Sequence, residues 1–239
     1  SYGDGLFIVL NTNNYNVAEH QKTIEEAVKA YPDAKWRIVT IHQDIYGSGL
    51  DHSDTDGMIL RTQLTPVFDA NDIDVVLQGH DHTYSRSKML YGDGQTHGKY
   101  EFSLNEDGTD YDWDHAYNKN TGDSITLNPL SSDTAAVEAK DAFTADNKCY
   151  TIESSGKSVV TNPKGTLYMT ANSASGSKYY ELINSQQDYI EVRSQNWLPS
   201  YSVIDLTKDD FKITTYQITD EGKVENIDNT FTIHKTVNR

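Results

Sequence analysis

Apolar residues along the chain fall in short runs divided by polar and turn-forming stretches, and the spacing inside the runs alternates between strand and helix periods. Leu6 to Leu10 is an unbroken apolar run of strand length; after the turn residues Asn11 to Asn14, the stretch Asn16 to Tyr31 sets Val17, Ile24, Ala27, Val28 and Tyr31 at helical spacing, and Pro32 ends that helix. Trp36 to Ile41 is a second β-rich run. Met58 to Phe68 carries Ile59, Leu60, Leu64, Val67 and Phe68 on one helical face, and Ile73 to Leu77 is a third buried strand. Strands alternating with helices predict βαβ units and a mostly parallel sheet. From Tyr91 to about Pro163 periodic apolar positions thin out among Gly, Asn, Asp, Ser and Thr, which predicts a loop-rich insertion at about 91–163 with short hairpins at most. Thr166 to Thr170, Ser202 to Leu206, Phe211 to Ile218 and Thr230 to Ile233 read as strands without helices between them, so the chain is expected to close in an antiparallel section.

Composition narrows the functional classes. A chain of 239 residues can bury well over half of its unfolded surface, and the 36% apolar content is clustered rather than diluted, which points to a globular domain with large loops. A net charge of -16, from 20 basic and 36 acidic residues, repels nucleic acid and anionic membranes as general partners. An acidic protein acting on an anion needs a local positive device, and metal ions are the most compact one. Cys149 is the single cysteine, which excludes an intrachain disulfide and a Cys-rich zinc site. No apolar run reaches the 18 residues of a membrane span, and the opening Ser-Tyr-Gly-Asp-Gly has no signal-peptide pattern. The expectation is a chain cut from something longer, of a secreted or cell-surface bacterial protein.

Candidate chemistry sits at strand ends. His42 follows Val39-Thr40-Ile41, and His80 and His82 follow Val75-Val76-Leu77-Gln78-Gly79. In an open parallel sheet the carboxyl ends of neighbouring strands face one crevice, so the three imidazoles are expected to converge there as metal ligands. A His-x-His pair arises about 0.3 times by chance in such a chain, and about 0.02 times with Gly before it, so Gly79-His80-Asp81-His82 is specific. Asp110, Asp112 and Asp114 alternate like a calcium loop, but His115 and Thr121 stand where that loop needs Gly and Glu. An exposed acidic loop is the expectation there. His20, His97, His115 and His234 have no neighbour at ligand spacing and receive no role.

Val39-Thr40-Ile41-His42 resembles the Val-x-x-His motif of purple acid phosphatases, in the calcineurin-like phosphoesterase superfamily, and Asp74 to Arg86 resembles their Gly-His-x-His motif with its flanks. Tyr2 to Thr12 and Thr166 to Lys178 resemble two further strands of that family. The likeness covers residues 1 to about 90 well and 164 to 235 loosely. It implies an α/β (or α+β) fold, a four-layer α/β/β/α metallophosphoesterase sandwich truncated at its N-terminus, with residues 1–239 as the C-terminal part of one domain. It further implies that His42 and His80 bind one ion and His82 its neighbour, and that two ions of iron, zinc or manganese drive hydrolysis of phosphate monoesters by a two-metal hydroxide mechanism. His52, in the loop Gly47 to His52, matches the place of a substrate-binding or proton-donating histidine. Asp51, Asp54 and Asp56 read as solvated loop charges.

The family's Asp-x-Gly (or Asp-x-His), Gly-Asp-x-x-Tyr and Gly-Asn-His motifs, which precede the strand that Leu6 opens, are not found upstream of Leu6. The expectation for the chain alone is therefore at most one weakly held metal, with no appreciable phosphatase activity. Its expected partners are a phosphate-ester substrate and either the missing N-terminal half or another copy of itself. A phosphodiesterase or nucleotide pyrophosphatase, or a non-catalytic surface module with a degenerate metal site, stays open beside the phosphomonoesterase.

Overall fold

The computed structural model describes residues 1–50, 55–109, 111–126 and 131–236. The elements run β1 (Gly5–Val9), α1 (Val17–Ala30), β2 (Trp36–Thr40), α2 (Thr55–Ala70), β3 (Val75–Gln78), β4 (Tyr84–Ser87) and β5 (Met89–Tyr91). There follow β6 (Tyr100–Leu104), β7 (Tyr111–Asn118), β8 (Ser124–Thr126), α3 (Thr134–Asp146), β9 (Thr151–Ser154) and β10 (Val159–Thr161). The chain ends with β11 (Leu167–Thr170), β12 (Ile190–Ser194), β13 (Ser200–Leu206), β14 (Asp210–Ile218) and β15 (Val224–His234).

A six-stranded sheet of order β1-β2-β3-β11-β4-β12 forms the centre. Its first four strands are parallel, β4 runs antiparallel to β11, and β12 antiparallel to β4. Strand alternation splits the core into two layers. On one face Leu6, Ile8, Val39, Val76 and Tyr168 join Ile24 of α1 and Ile59, Leu60, Leu64 and Phe68 of α2. On the other face Trp36, Ile38, Val75, Leu167 and Met169 pack on Phe211, Ile213, Phe231 and Ile233 of a four-stranded sheet of order β10-β15-β14-β13. The described residues thus build the layers helix, sheet and sheet. The outer face of the four-stranded sheet leaves Tyr201 and Val203 exposed, and among the described residues β1 is an edge strand of the central sheet with Phe7 and Val9 exposed.

Local chemistry explains the first βα unit. The Asn16 side chain accepts the Glu19 N–H at the start of α1, Lys29 lies in its last turn, and Pro32 follows its end. The closing layer is locked to the central sheet by polar groups as well as by packing. Asp228 on β15 accepts hydrogen bonds from Arg86 Nε (2.6 Å) and the Tyr84 hydroxyl (2.7 Å), all three residues being buried. Lys235 reaches the Asp74 carboxylate at 2.7 Å and the Lys35 carbonyl at 2.6 Å, across the face of Trp36.

Two expectations need correction. The run Thr166 to Thr170, read as part of the antiparallel closing section, supplies β11 in the middle of the main sheet, parallel to β3 and buried at every position. A central strand covered on both faces shows no polar alternation to mark it. The stretch 91–163, to which the pattern assigned only short hairpins, holds the three-stranded sheet β6-β7-β8, the helix α3 and two further strands. Its Tyr100, Phe102, Ala116 and Phe143 are buried in the same core as α1 and α2, with Phe102 edge-on to Tyr15 at 4.9 Å. A few large aromatics do there what a periodic apolar stripe does elsewhere, so period counting misses them.

Candidate metal site at the ends of strands 2 and 3

The β2–β3 pairing continues beyond the ladder: Ile41 N–H donates to the Leu77 carbonyl and Gly79 N–H to the His42 carbonyl, each at 3.0 Å. This zipping sets His42 and His80 side by side at the carboxyl end of the sheet. His42 Nε2 and His80 Nδ1 lie 3.1 Å apart, with ring centroids at 5.0 Å and planes at 74°. His80 holds this position with φ of +66°, a left-handed backbone that ordinary residues avoid and that recurs at functional sites. The β1–α1 loop helps from the other side, where the Thr12 hydroxyl accepts the His42 N–H at 3.3 Å and itself donates to the Gln43 amide oxygen.

His82 is held differently. Its Nδ1 hydrogen-bonds the Lys178 carbonyl at 2.8 Å, and its ring lies 5.0 Å from that of Tyr180. A carbonyl only accepts, so Nδ1 carries the proton and Nε2 keeps the lone pair that a metal needs. Among the described residues no three His, Cys, Asp or Glu side chains come together as a group that could hold a metal ion. His52, Asp51 and Asp54 lie outside the described residues, as do Asp110 and the side chains of Asp56 and Asp114. The remaining histidines have local partners: His20 the Asn14 carbonyl, His97 the Asp93 carboxylate and Asp146 carbonyl, His115 Asp112, and His234 Asp210.

Sequence reasoning missed what lies beneath the histidines. Asp44 and Asp81 are both 1% exposed. Asp81 accepts the Gly49 N–H at 2.8 Å, while Asp44 accepts from the Thr170 hydroxyl at 2.7 Å and the Gln78 amide at 2.5 Å. Burial first, then the neighbouring Asp81 carboxylate, push the Asp44 carboxyl well above the usual carboxylate range, which favours a protonated Asp44 hydrogen-bonded to Asp81. The loop between β2 and α2 is laid directly on this pair. A Cβ at Gly49 would lie 2.5 Å from the Asp81 carboxyl carbon, so a larger residue there has to displace the Asp81 carboxylate. The spacing Asp44-x-x-Gly47-x-Gly49 was the available signal, but nothing in a period-two or helical pattern marks a carboxylate as buried.

A cavity of about 450 Å³ also occurs, lined by α2, α3 and the 183–189 segment, with Arg61, Lys148, Asp188 and Tyr189 in its wall. Its Lys148–Asp188 pair is spaced at 2.7 Å, so the cavity offers no uncompensated charge from these two.

Comparison of the structure with solved ones supplies the wider frame. The purple acid phosphatase PPD1 from yellow lupin (Lupinus luteus) seeds superposes with a TM-score of 0.54 over 98% of this chain, at 10% identity. The chain has a metallophosphoesterase-like fold. It spans about a third of the length of the lupin protein, 32%. GAP50, the anchor in the inner membrane complex of Plasmodium, gives a TM-score of 0.46 at 13% identity, over 94% of this chain and 49% of its own. No family model and no curated protein sequence matches the chain. Among the described residues no helix is long and apolar enough to cross a membrane.

Proposed function

We propose that the protein is a metal-dependent hydrolase of phosphate monoesters, in which His42 and His80 hold one ion and His82 its neighbour, with further donors coming from outside the described residues. The observation that carries this reading is the 3.1 Å separation of His42 Nε2 and His80 Nδ1. Two imidazole nitrogens bound to one ion at about 2.0–2.1 Å, with bond angles between octahedral and tetrahedral, stand about 2.9–3.4 Å apart. The pair therefore has the spacing of two adjacent ligands before any ion is added. The Nδ1 anchor of His82 supports the same chemistry, because it fixes the tautomer that leaves Nε2 as a donor. Imidazole suits iron, zinc and manganese. When bound, such ions would supply positive charge for the phosphoryl group and an activated water.

What the chain itself contributes is positioning. The buried Asp44–Asp81 pair supports the loop behind the histidines, and the left-handed turn at His80 sets the ring angle toward His42. The β1 edge, with Phe7 and Val9 exposed, offers a place for an element that brings further ligands.

The test is phosphate release by the protein in its natural length from a panel of mono- and diesters. His80→Ala is expected to lower turnover at least about 100-fold with little change in Tm, since the ring is part-exposed and packs no core. Retained turnover contradicts the assignment, and preference for diesters moves the reading to a phosphodiesterase or nucleotide pyrophosphatase built on the same histidines. A non-catalytic module is a second reading, favoured by one observation: two donors, not three or more, converge among the described residues.

A further inference from the structure

Beside His82 lies an aromatic feature that metal ligation does not use. Trp197 is 53% exposed and adopts φ of +58°. A bulky side chain in the left-handed region is strained, and one half in water contributes little to folding, so stability does not account for a tryptophan at this position. Its ring meets that of Tyr179 at 6.1 Å and 76°, which makes an open corner of two aromatic walls. That corner is fastened to the histidine. The Gln195 amide donates to the His82 carbonyl at 2.7 Å and to the Tyr180 carbonyl at 2.6 Å, while its oxygen accepts the Trp197 N–H at 3.1 Å. Lys178, whose carbonyl anchors the His82 ring, lays its ammonium over the Tyr180 ring at 4.6 Å.

We infer that Tyr179 and Trp197 form a stacking subsite for a flat aromatic group, the nucleobase or aryl portion of a ligand whose phosphate lies at the histidines. The inference rests on the phosphoester reading for the phosphate but not for the stacking itself. The two walls suit a planar ring, which takes a face contact from Trp197 and an edge contact from Tyr179. Stacking is also the attraction a strongly acidic chain can offer an anion without adding positive charge.

Equilibrium dialysis of the full chain with adenosine 5′-monophosphate, adenosine, ribose 5-phosphate and inorganic phosphate tests this. Adenosine monophosphate is expected to bind about ten-fold or more tighter than ribose 5-phosphate, as one stacked base provides. Trp197→Gly, which suits the left-handed backbone, is expected to erase that preference while keeping or raising Tm, and Trp197→Phe to keep most of it. Equal affinity for adenosine monophosphate and ribose 5-phosphate, an unchanged preference in Trp197→Gly, or no adenine binding at all overturns the inference. Adenosine binding that needs Trp197, together with phosphate binding that ignores His80→Ala, leaves the subsite standing and removes the phosphoester reading instead.

Discussion

At the scale of single residues, a half-buried carboxyl on α2 makes stability depend on pH. Asp69 on α2 accepts the Gly92 N–H at 2.8 Å, yet burial outweighs that bond and pushes its pKa up to about 6. An unfolded Asp titrates near about 3.9, so the folded state binds more protons across this interval, and the contribution of Asp69 to stability falls as pH rises from about 4 to 6. Asp69→Asn keeps an acceptor for Gly92 and removes the titration. The Tm of Asp69→Asn relative to the parent should therefore climb between pH 4 and 6 and level off above; a constant difference in thermal melts refutes this. The burial of Asp44 and the half-burial of Asp69 were not legible. That His42 and His80 stand at strand ends was legible, because the apolar runs before them mark β2 and β3, whereas burial of a carboxylate is decided by loops arriving from elsewhere, Gly47 to Gly49 for Asp44 and Asp81, and Gly92 for Asp69.

At the scale of elements, two buried ion pairs, Arg86–Asp228 and Lys235–Asp74, join the two sheets. Arg86 on β4 and Asp228 on β15 are each about 7% exposed at their side chains, and the Arg86 guanidinium also lies over the Phe231 ring at 4.6 Å. Removing one partner leaves the other charge buried without compensation, so Asp228→Ala should cost about 3–5 kcal/mol in urea unfolding. A loss below about 1 kcal/mol would mean that the apolar layer alone holds the sheets together. The strands β1, β2 and β3 could be read to within a few residues as short apolar runs, and helices α1 and α2 because each buries one regular face. The strands β4, β5 and β12 could not. Tyr84-Ser85-Arg86-Ser87 is buried throughout but polar in spelling, with Tyr84 and Arg86 bonded to Asp228 on the opposite sheet.

At the scale of the whole molecule, the sheet order places the strand ends that carry His42 and His80 next to one another, and β11 beside them supplies Thr170 to the buried pair below. The alternation of strands and helices made this half of the sheet foreseeable, while the aromatic packing of 91–163 onto α2 was hidden by the lack of a period. The central claim is that two preset imidazoles form part of a metal site that the described residues do not complete. Its most direct test is a zinc or cobalt titration of this chain by calorimetry, beside His42→Ala and His80→Ala. The account predicts that an ion binds at this pair, with that binding abolished by either substitution and Tm of the metal-free variants nearly unchanged. Metal binding that survives both substitutions would contradict it.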